Sequence, residues 1–249
     1  MMKEFKNKNI LIFGGSGGIG LALSQIMYKF GANIYIVSKD INKKNNLQSL
    51  MPKAILLYED LSTKNGQKNC VVKIKILINK IDYLVFSLGE FEESNIHSIN
   101  PNKLNSTLEL NLYSHIFLVQ GLLSLIKKGE GRSIVFLSSI LGIYVDHDTL
   151  TYSLSKSALI SLTKSLAIEL AKDKIRVNSI SPSFVDTDMI KNHMKNDIIK
   201  NNIIEKHPFG RIGNPTDIAN SIVFFLSGYS SWITGQNLIL DGGRSLIPK

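Results

Sequence analysis

Short apolar runs rich in β-branched residues alternate along the chain with longer stretches whose apolar positions recur every three or four residues. The short runs lie at residues 9–14, 33–38, 54–60, 83–89, 133–139, 176–182 and 237–241. Their length and nearly continuous apolar character predict seven strands buried on both faces. Helical spacing is clearest at 19–30, 104–127, 153–172 and 215–226, and Asn100-Pro101 and Asn214-Pro215 each set a capping residue before a proline suited to a first helical turn. Strand-then-helix alternation predicts an α/β fold of the doubly wound kind, a seven-stranded and mainly parallel sheet with helices on both faces. No Pro/Gly/Ser-rich linker divides residues 1–249, so one domain is expected. The Asn/Lys-rich segment 184–208, with its spaced Ile and Met, fits this scheme least. It is long enough to be a substrate lid with short helices of its own.

Composition changes this picture in three places. The apolar run at 10–13 is too short for a signal peptide, and Ser114, His115, Gln120 and Ser124 interrupt 112–126 in a way that suits a buried helix better than a membrane span. A soluble cytoplasmic protein with no membrane partner is therefore expected. Cys70 is the single cysteine, which excludes an internal disulfide and a cysteine-based metal cluster, and it is expected to pack. The net charge of +9 comes from scattered lysines with no basic stripe. This argues against nucleic acid and for mild attraction toward an anionic cofactor or substrate.

After the first strand stands Phe13-Gly14-Gly15-Ser16-Gly17-Gly18-Ile19-Gly20. Glycines in a strand-to-helix turn either just permit a tight bend or let the backbone approach a pyrophosphate, whose charge the helix start then meets. The place of this turn after the first strand favours a dinucleotide. At the end of the second strand an acidic residue would accept hydrogen bonds from a ribose 2′-hydroxyl and repel a 2′-phosphate. Ser38-Lys39 stands there instead, with Asp40 further on, so Lys39 is either an exposed lysine or a 2′-phosphate contact. No second basic residue occupies the glycine-rich turn, where Gly17 stands, so a modest preference for NADP(H) over NAD(H) is expected.

Tyr152 and Lys156 are four apart at the start of a helical pattern, on one helix face. A phenol with a pKa of about 10 exchanges protons poorly at neutral pH, and a neighbouring ammonium favours its ionised form. By itself this spacing is common by chance. Ser139, ending an apolar strand 13 residues earlier (152 minus 139), either closes the strand or reaches a substrate oxygen. Asn111, among Leu108, Leu110, Leu112, Ile116 and Phe117, either satisfies nearby backbone or holds a water.

Together these residues resemble the short-chain dehydrogenase/reductase family across essentially the whole chain, and within it the 3-oxoacyl-carrier-protein reductases. The resemblance implies a Rossmann fold and a catalytic tetrad at Asn111, Ser139, Tyr152 and Lys156, with Lys156 also on the nicotinamide ribose. It implies cofactor contacts from Gly14, Ser16, Gly17, Gly18, Ile19 and Gly20, from Ser38, Lys39, Asp60, Leu61 and Gly89, and from Pro182, Val185 and Thr187. Residues 210–215, 233–236 and 241–243 resemble the family's subunit-packing segments, which implies a homotetramer.

The implied reaction is NADP(H)-dependent interconversion of a ketone and a secondary alcohol, with a small-molecule or acyl-thioester substrate. A ketoreductase of a sugar or other specialised metabolite, and a cofactor-binding protein without turnover, are the alternatives. Phe13 stands where the family has Thr, Phe86-Ser87-Leu88-Gly89 where it has Asn-Asn-Ala-Gly, and Pro182-Ser183 where it has Pro-Gly. The aromatic pair is expected to sit together and replace a polar tie between the first and fourth strands. Glu130 and Asp173 fall where carrier-protein reductases tend to carry docking arginines.

Overall fold

The computed structural model describes residues 2–191, 194 and 196–247. Met1, Pro248 and Lys249 of the expected domain, and Asn192, His193 and Lys195 of the expected lid, lie outside the described residues. The predicted strands form as β1 (Asn9–Phe13), β2 (Asn33–Ser38), β3 (Ile55–Tyr58), β4 (Tyr83–Phe86), β5 (Ser133–Leu137), β6 (Arg176–Pro182) and β7 (Asn237–Leu240). They make one sheet in the order β3-β2-β1-β4-β5-β6-β7, and every pairing is parallel. β1, β4 and β5 end before the expected boundary, because Gly14, Ser87 to Gly89 and Ser138-Ser139 have already turned out toward the cleft described below, and β3 and β7 stop short of Asp60 and Asp241.

Side-chain alternation builds a core on each face. Ile10 and Ile12 of β1 pack with Leu23 and Met27 of α1 (Gly18–Lys29) and with Ile222 and Phe225 of a C-terminal helix, Pro215–Leu226. Leu11 and Phe13 turn to the other face, against Cys70 and Ile74 of a helix at Lys64–Leu77 and Leu118 and Leu122 of one at Ser114–Lys127. Cys70 is buried, as expected, and desolvation pushes its thiol up to about 12. Phe13 and Phe86 are register partners, fully buried, with ring centroids 4.7 Å apart. Phe86 also stacks on Phe136 and His115. The aromatic tie read from the sequence is thus the observed one.

Helical segments depart from the expected limits in two instructive ways. The run at 104–127 begins at Pro101 and is interrupted by a π-helical turn, Glu109–Tyr113, centred on Asn111. Pro101–Lys127 is by length and composition apolar enough to cross a bilayer, yet Leu118, Val119, Leu122, Leu125 and Ile126 of its second half are buried in the core. The helix expected at 153–172 runs from Leu150 to Glu169 and is named α2 here. Its first N–H groups are met by Ser94, whose carbonyl accepts from Leu150 N at 3.0 Å and whose hydroxyl accepts from Thr151 N at 3.0 Å. A distant segment does the capping, which places Tyr152 inside the first turn.

Candidate active site

The chain leaves β1 toward β2 on one side and β4 toward β5 on the other, so a crevice opens beyond the carboxyl ends of β1 and β4. A cleft of about 710 Å³ fills it. Gly14 has φ +79° and lies so close to the β4 exit that a β-carbon there would stand 2.8 Å from the Ser87 carbonyl. Gly18, at φ +49°, has Thr187 Cγ2 2.9 Å from the same imagined position. Gly17 caps α1 without a side chain, leaving the first N–H groups of the helix facing the cleft. This cradle fits a dinucleotide pyrophosphate, which needs close backbone approach and a helix start.

At the far edge, Ser16 Oγ and Ser38 Oγ are 2.8 Å apart, and Ser38 Oγ also accepts from Asp40 N at 3.1 Å. Lys39 lies beside them, near enough to help hold Asp60 below the usual carboxylate range, although the Ser62 hydroxyl is the larger cause. The Asp40 side chain accepts from Asn42 N at 3.0 Å and so turns the chain back over Ile41–Lys43. Lys43 Nζ consequently lies 3.1 Å from where a Gly17 β-carbon would be. The second cation missing from the glycine-rich turn in sequence arrives through space.

On the opposite wall Ser139, leaving β5, accepts from Leu141 N at 3.2 Å and stands close enough to the Tyr152 phenol to favour its ionised form. Lys156, one turn along α2, is 5.5 Å from the Tyr152 ring centre and donates to Leu137 O at 2.9 Å. The sequence led us to expect a phenol shifted toward its ionised form. With the chain's own residues the balance is otherwise. Burial pushes Tyr152 up to about 12, with the nearby Ser139 opposing it, and desolvation pulls Lys156 down to about 8.

Asn111 sits behind this wall. Its Oδ1 accepts from Glu90 N at 2.9 Å, and its Nδ2 donates to Glu90 O at 2.9 Å and to Ser155 Oγ at 3.2 Å. A β-carbon on Gly89 would lie 3.2 Å from Lys156 Nζ and 3.3 Å from Asn111 Oδ1, so Asn111, Gly89 and Lys156 converge. Of the two readings of Asn111, satisfaction of nearby backbone is the one its side chain shows. The π-turn that aims it is a feature often found at functional sites.

Asn111 and Gly20 are the two expected site residues that do not line the cleft. Gly20 packs beneath the turn, since a β-carbon there would fall 2.2 Å from Gly14 O. Ser16, Ile19, Leu61, Pro182 and Val185 do line it. Val185 is fixed by paired backbone bonds between Phe184, Asp186 and Gly213. Met189, Ile190, Ile199 and Ile203 of the lid segment form part of the wall, whereas Met194 does not. The sequence reads Lys43 as a solvated helix end, whereas it lines the cleft; it does not single out Phe91, which meets the Tyr152 ring edge-on at 5.1 Å, or Arg244. Only tertiary contact brings them in, although Asp40 as a turn former was a signal for Lys43.

A family model described as Enoyl-(Acyl carrier protein) reductase matches residues 14–245. The chain belongs to the short-chain dehydrogenase/reductase family. It is an oxidoreductase of that family, similar to the 3-oxoacyl-[acyl-carrier-protein] reductase FabG of Rickettsia typhi, with 32% identity over 99% of this chain and 100% of the relative. Carbonyl reductase family member 4 of Xenopus laevis is 32% identical over 96% of this chain and 99% of its own. Among solved short-chain dehydrogenase/reductase folds, Cj0485 dehydrogenase superposes with a TM-score of 0.92 at 29% identity, covering 100% of this chain and 98% of that one.

Proposed function

We propose that the protein interconverts a ketone and a secondary alcohol with NADP(H), using Tyr152 as the proton donor and acceptor. The observation that carries this reading is the convergence of Ser139, Tyr152 and Lys156 on one wall of the cleft, with the Lys156 ammonium 5.5 Å from the Tyr152 ring centre. A dinucleotide held by its pyrophosphate on the Gly14–Gly20 cradle would supply the hydride for the carbonyl carbon. Ser139 holds the substrate oxygen, Tyr152 gives it a proton, and Lys156 both orients the ribose and favours release of that proton. Asn111, acting through the Gly89-Glu90 backbone, positions the lysine. The cofactor preference rests on Lys39 and Lys43 about the Ser38 edge, where a 2′-phosphate would be neutralised and where the Asp40 carboxylate is engaged in its own turn.

The relatives' names make 3-oxoacyl thioesters the first substrates to examine. Ketoreduction of a sugar or other specialised metabolite is the second reading, favoured by a specific observation. Glu130 is paired with Lys8 and Lys80, and Asp173 with Lys127 at 2.8 Å, so these positions offer an acidic carrier no unpaired arginine. Residues 184–208 act as the lid. The protein assembles as a homotetramer through the exposed apolar residues Tyr113, Ile116, Phe117, Leu154 and Ile168, and through Trp232 and Leu246 near the C-terminus. An unpaired Cys70 is in keeping with a reducing cytoplasm. The test is NADPH oxidation with acetoacetyl thioesters, nucleotide-linked keto-sugars and simple diketones. Turnover of any of these by the wild type is expected, and binding of NADPH with no turnover across an extended carbonyl panel would leave only the non-catalytic alternative.

A further inference from the structure

Arg244 is unlike the rest of the cleft wall. It begins the short turn Arg244–Leu246 after β7, its side chain is only 15% exposed, and it lines the cleft. The guanidinium lies over the Phe184 ring, 4.7 Å from its centre. Among the described residues its polar partners are Ser183 Oγ at 3.4 Å and the Asp146 carboxylate at 3.7 Å. The second of these is beyond hydrogen-bonding reach, and Asp146 is itself 43% exposed. Asp241, the other carboxylate whose field reaches Arg244, already accepts from Gly243 N at 3.0 Å and Ser245 N at 2.6 Å. A guanidinium carries five N–H donors in a planar fork. Among the described residues most of them have no partner, and burial lowers the arginine's affinity for its proton.

The aim of that side chain is set by a relay. His207 Nδ1 lies 2.7 Å from Ile203 O, and a carbonyl only accepts, so Nδ1 carries the proton and Nε2 is left as an acceptor. Ser183 Oγ, 2.9 Å from Nε2, therefore donates to His207 and turns a lone pair to Arg244. Ser183 stands where the family has glycine, so the relay depends on one of this chain's own departures. Phe184 lies beneath the guanidinium, and the cleft that Arg244 lines also carries Met189, Ile190, Ile199 and Ile203 of residues 184–208, next to the acidic Asp188. A partly desolvated cation in a cleft with this aliphatic lining is the complement of an aliphatic body ending in one carboxylate. A dianionic phosphate would add two negative charges beside Asp146 where a carboxylate adds one, so the carboxylate meets the smaller repulsion.

We infer that Arg244 anchors the carboxylate of the substrate, and that this substrate is a free aliphatic oxo acid or hydroxy acid, not an ester or thioester. The inference deepens the ketone–alcohol reading of the same cleft and rests on it. Bidentate pairing with the carboxylate displaces the 3.7 Å approach of Asp146, and the apolar lid covers the chain between anchor and reacting carbonyl.

The test uses binding, so that it does not depend on turnover. Octanoate and octanamide, matched in length and differing in charge, are titrated calorimetrically into the full chain saturated with NADP⁺. Octanoate is expected to bind at least about tenfold tighter, as a charge-assisted pair requires. Arg244→Met should abolish that ratio, Arg244→Lys should keep part of it, and Asp146→Asn should enlarge it. A merely structural Arg244 would alter stability in these variants and leave the acid-to-amide ratio unmoved. Equal binding of the two probes by the wild type, absence of octanoate binding, or a ratio that survives Arg244→Met overturns the anchor. The wild-type comparison stands even where a variant fails to fold. Should the carbonyl panel, extended to medium-chain free oxo acids, show no turnover while the ratio is present, the oxidoreductive reading of the substrate fails and the anion site remains.

Discussion

Removing the phenolic oxygen at position 152 separates proton transfer from packing, because a phenylalanine ring still meets Phe91 edge-on. Tyr152→Phe should lower kcat by about 10²- to 10⁴-fold with NADPH affinity nearly unchanged, the usual span of a lost general acid. Steady-state kinetics with cofactor titration reads both, and near-normal turnover would remove Tyr152 from the mechanism. Lys156 makes a prediction in pH. Its folded pKa of about 8 lies below its ordinary value of 10.5, so between the two the unfolded chain holds a proton that the folded chain has released. Stability from this group therefore rises with pH across that window, and its burial penalty is in full force below about 8. Activity runs the other way. The ammonium that supports proton release from Tyr152 is lost above about pH 8, so kcat/KM for carbonyl reduction should fall there, and a profile flat to pH 10 contradicts the assignment. Lys39→Ala and Lys43→Ala should each weaken NADPH about tenfold while leaving NADH nearly untouched; equal kcat/KM for the two cofactors in the wild type would show both lysines to be surface residues.

Among the elements, the pairing of β1 with β4 is where the chain departs from its relatives and compensates. Phe13→Ala and Phe86→Ala should each cost about 3–5 kcal/mol of folding stability, and their double-mutant cycle should show a coupling of about 0.5–1.5 kcal/mol from the ring pair. Denaturant melts measure it, and additive losses would mean the rings merely fill space. This tie was legible because two unusual aromatics fall at matching strand ends. The π-turn at Glu109–Tyr113 was not legible, since apolar periodicity is nearly continuous through it and the turn depends on Asn111 meeting Glu90 from another segment. The same holds for the start of α2, capped by Ser94. For the lid, amide exchange over the described parts of 184–208 should slow when cofactor and an octanoate-like ligand are both bound. Unchanged exchange would detach this segment from the substrate.

At the scale of the whole molecule, the parallel sheet and its two helical layers followed from strand–helix alternation, because strands buried on both faces need helices on each side. The cleft was legible wherever its residues sit at strand ends or in the glycine-rich turn. It was illegible where the wall comes from the far end of the chain, as with Arg244, or from a turn that folds back, as with Lys43. Exposed Trp232, Leu246 and the apolar side chains beside Asn111 predict a tetramer of about four chain masses by light scattering; a monomer at micromolar concentration would leave them unexplained. Lys43 has a further consequence. It reaches Gly17 from Ile41–Lys43, a short turn that contributes no strand to the sheet. Under the proposed preference for NADP(H), the share carried by Lys43 is mechanically decoupled from the scaffold, and selection, natural or in the laboratory, has a replaceable cartridge of a few residues through which to shift the enzyme between two redox pools without renegotiating its fold.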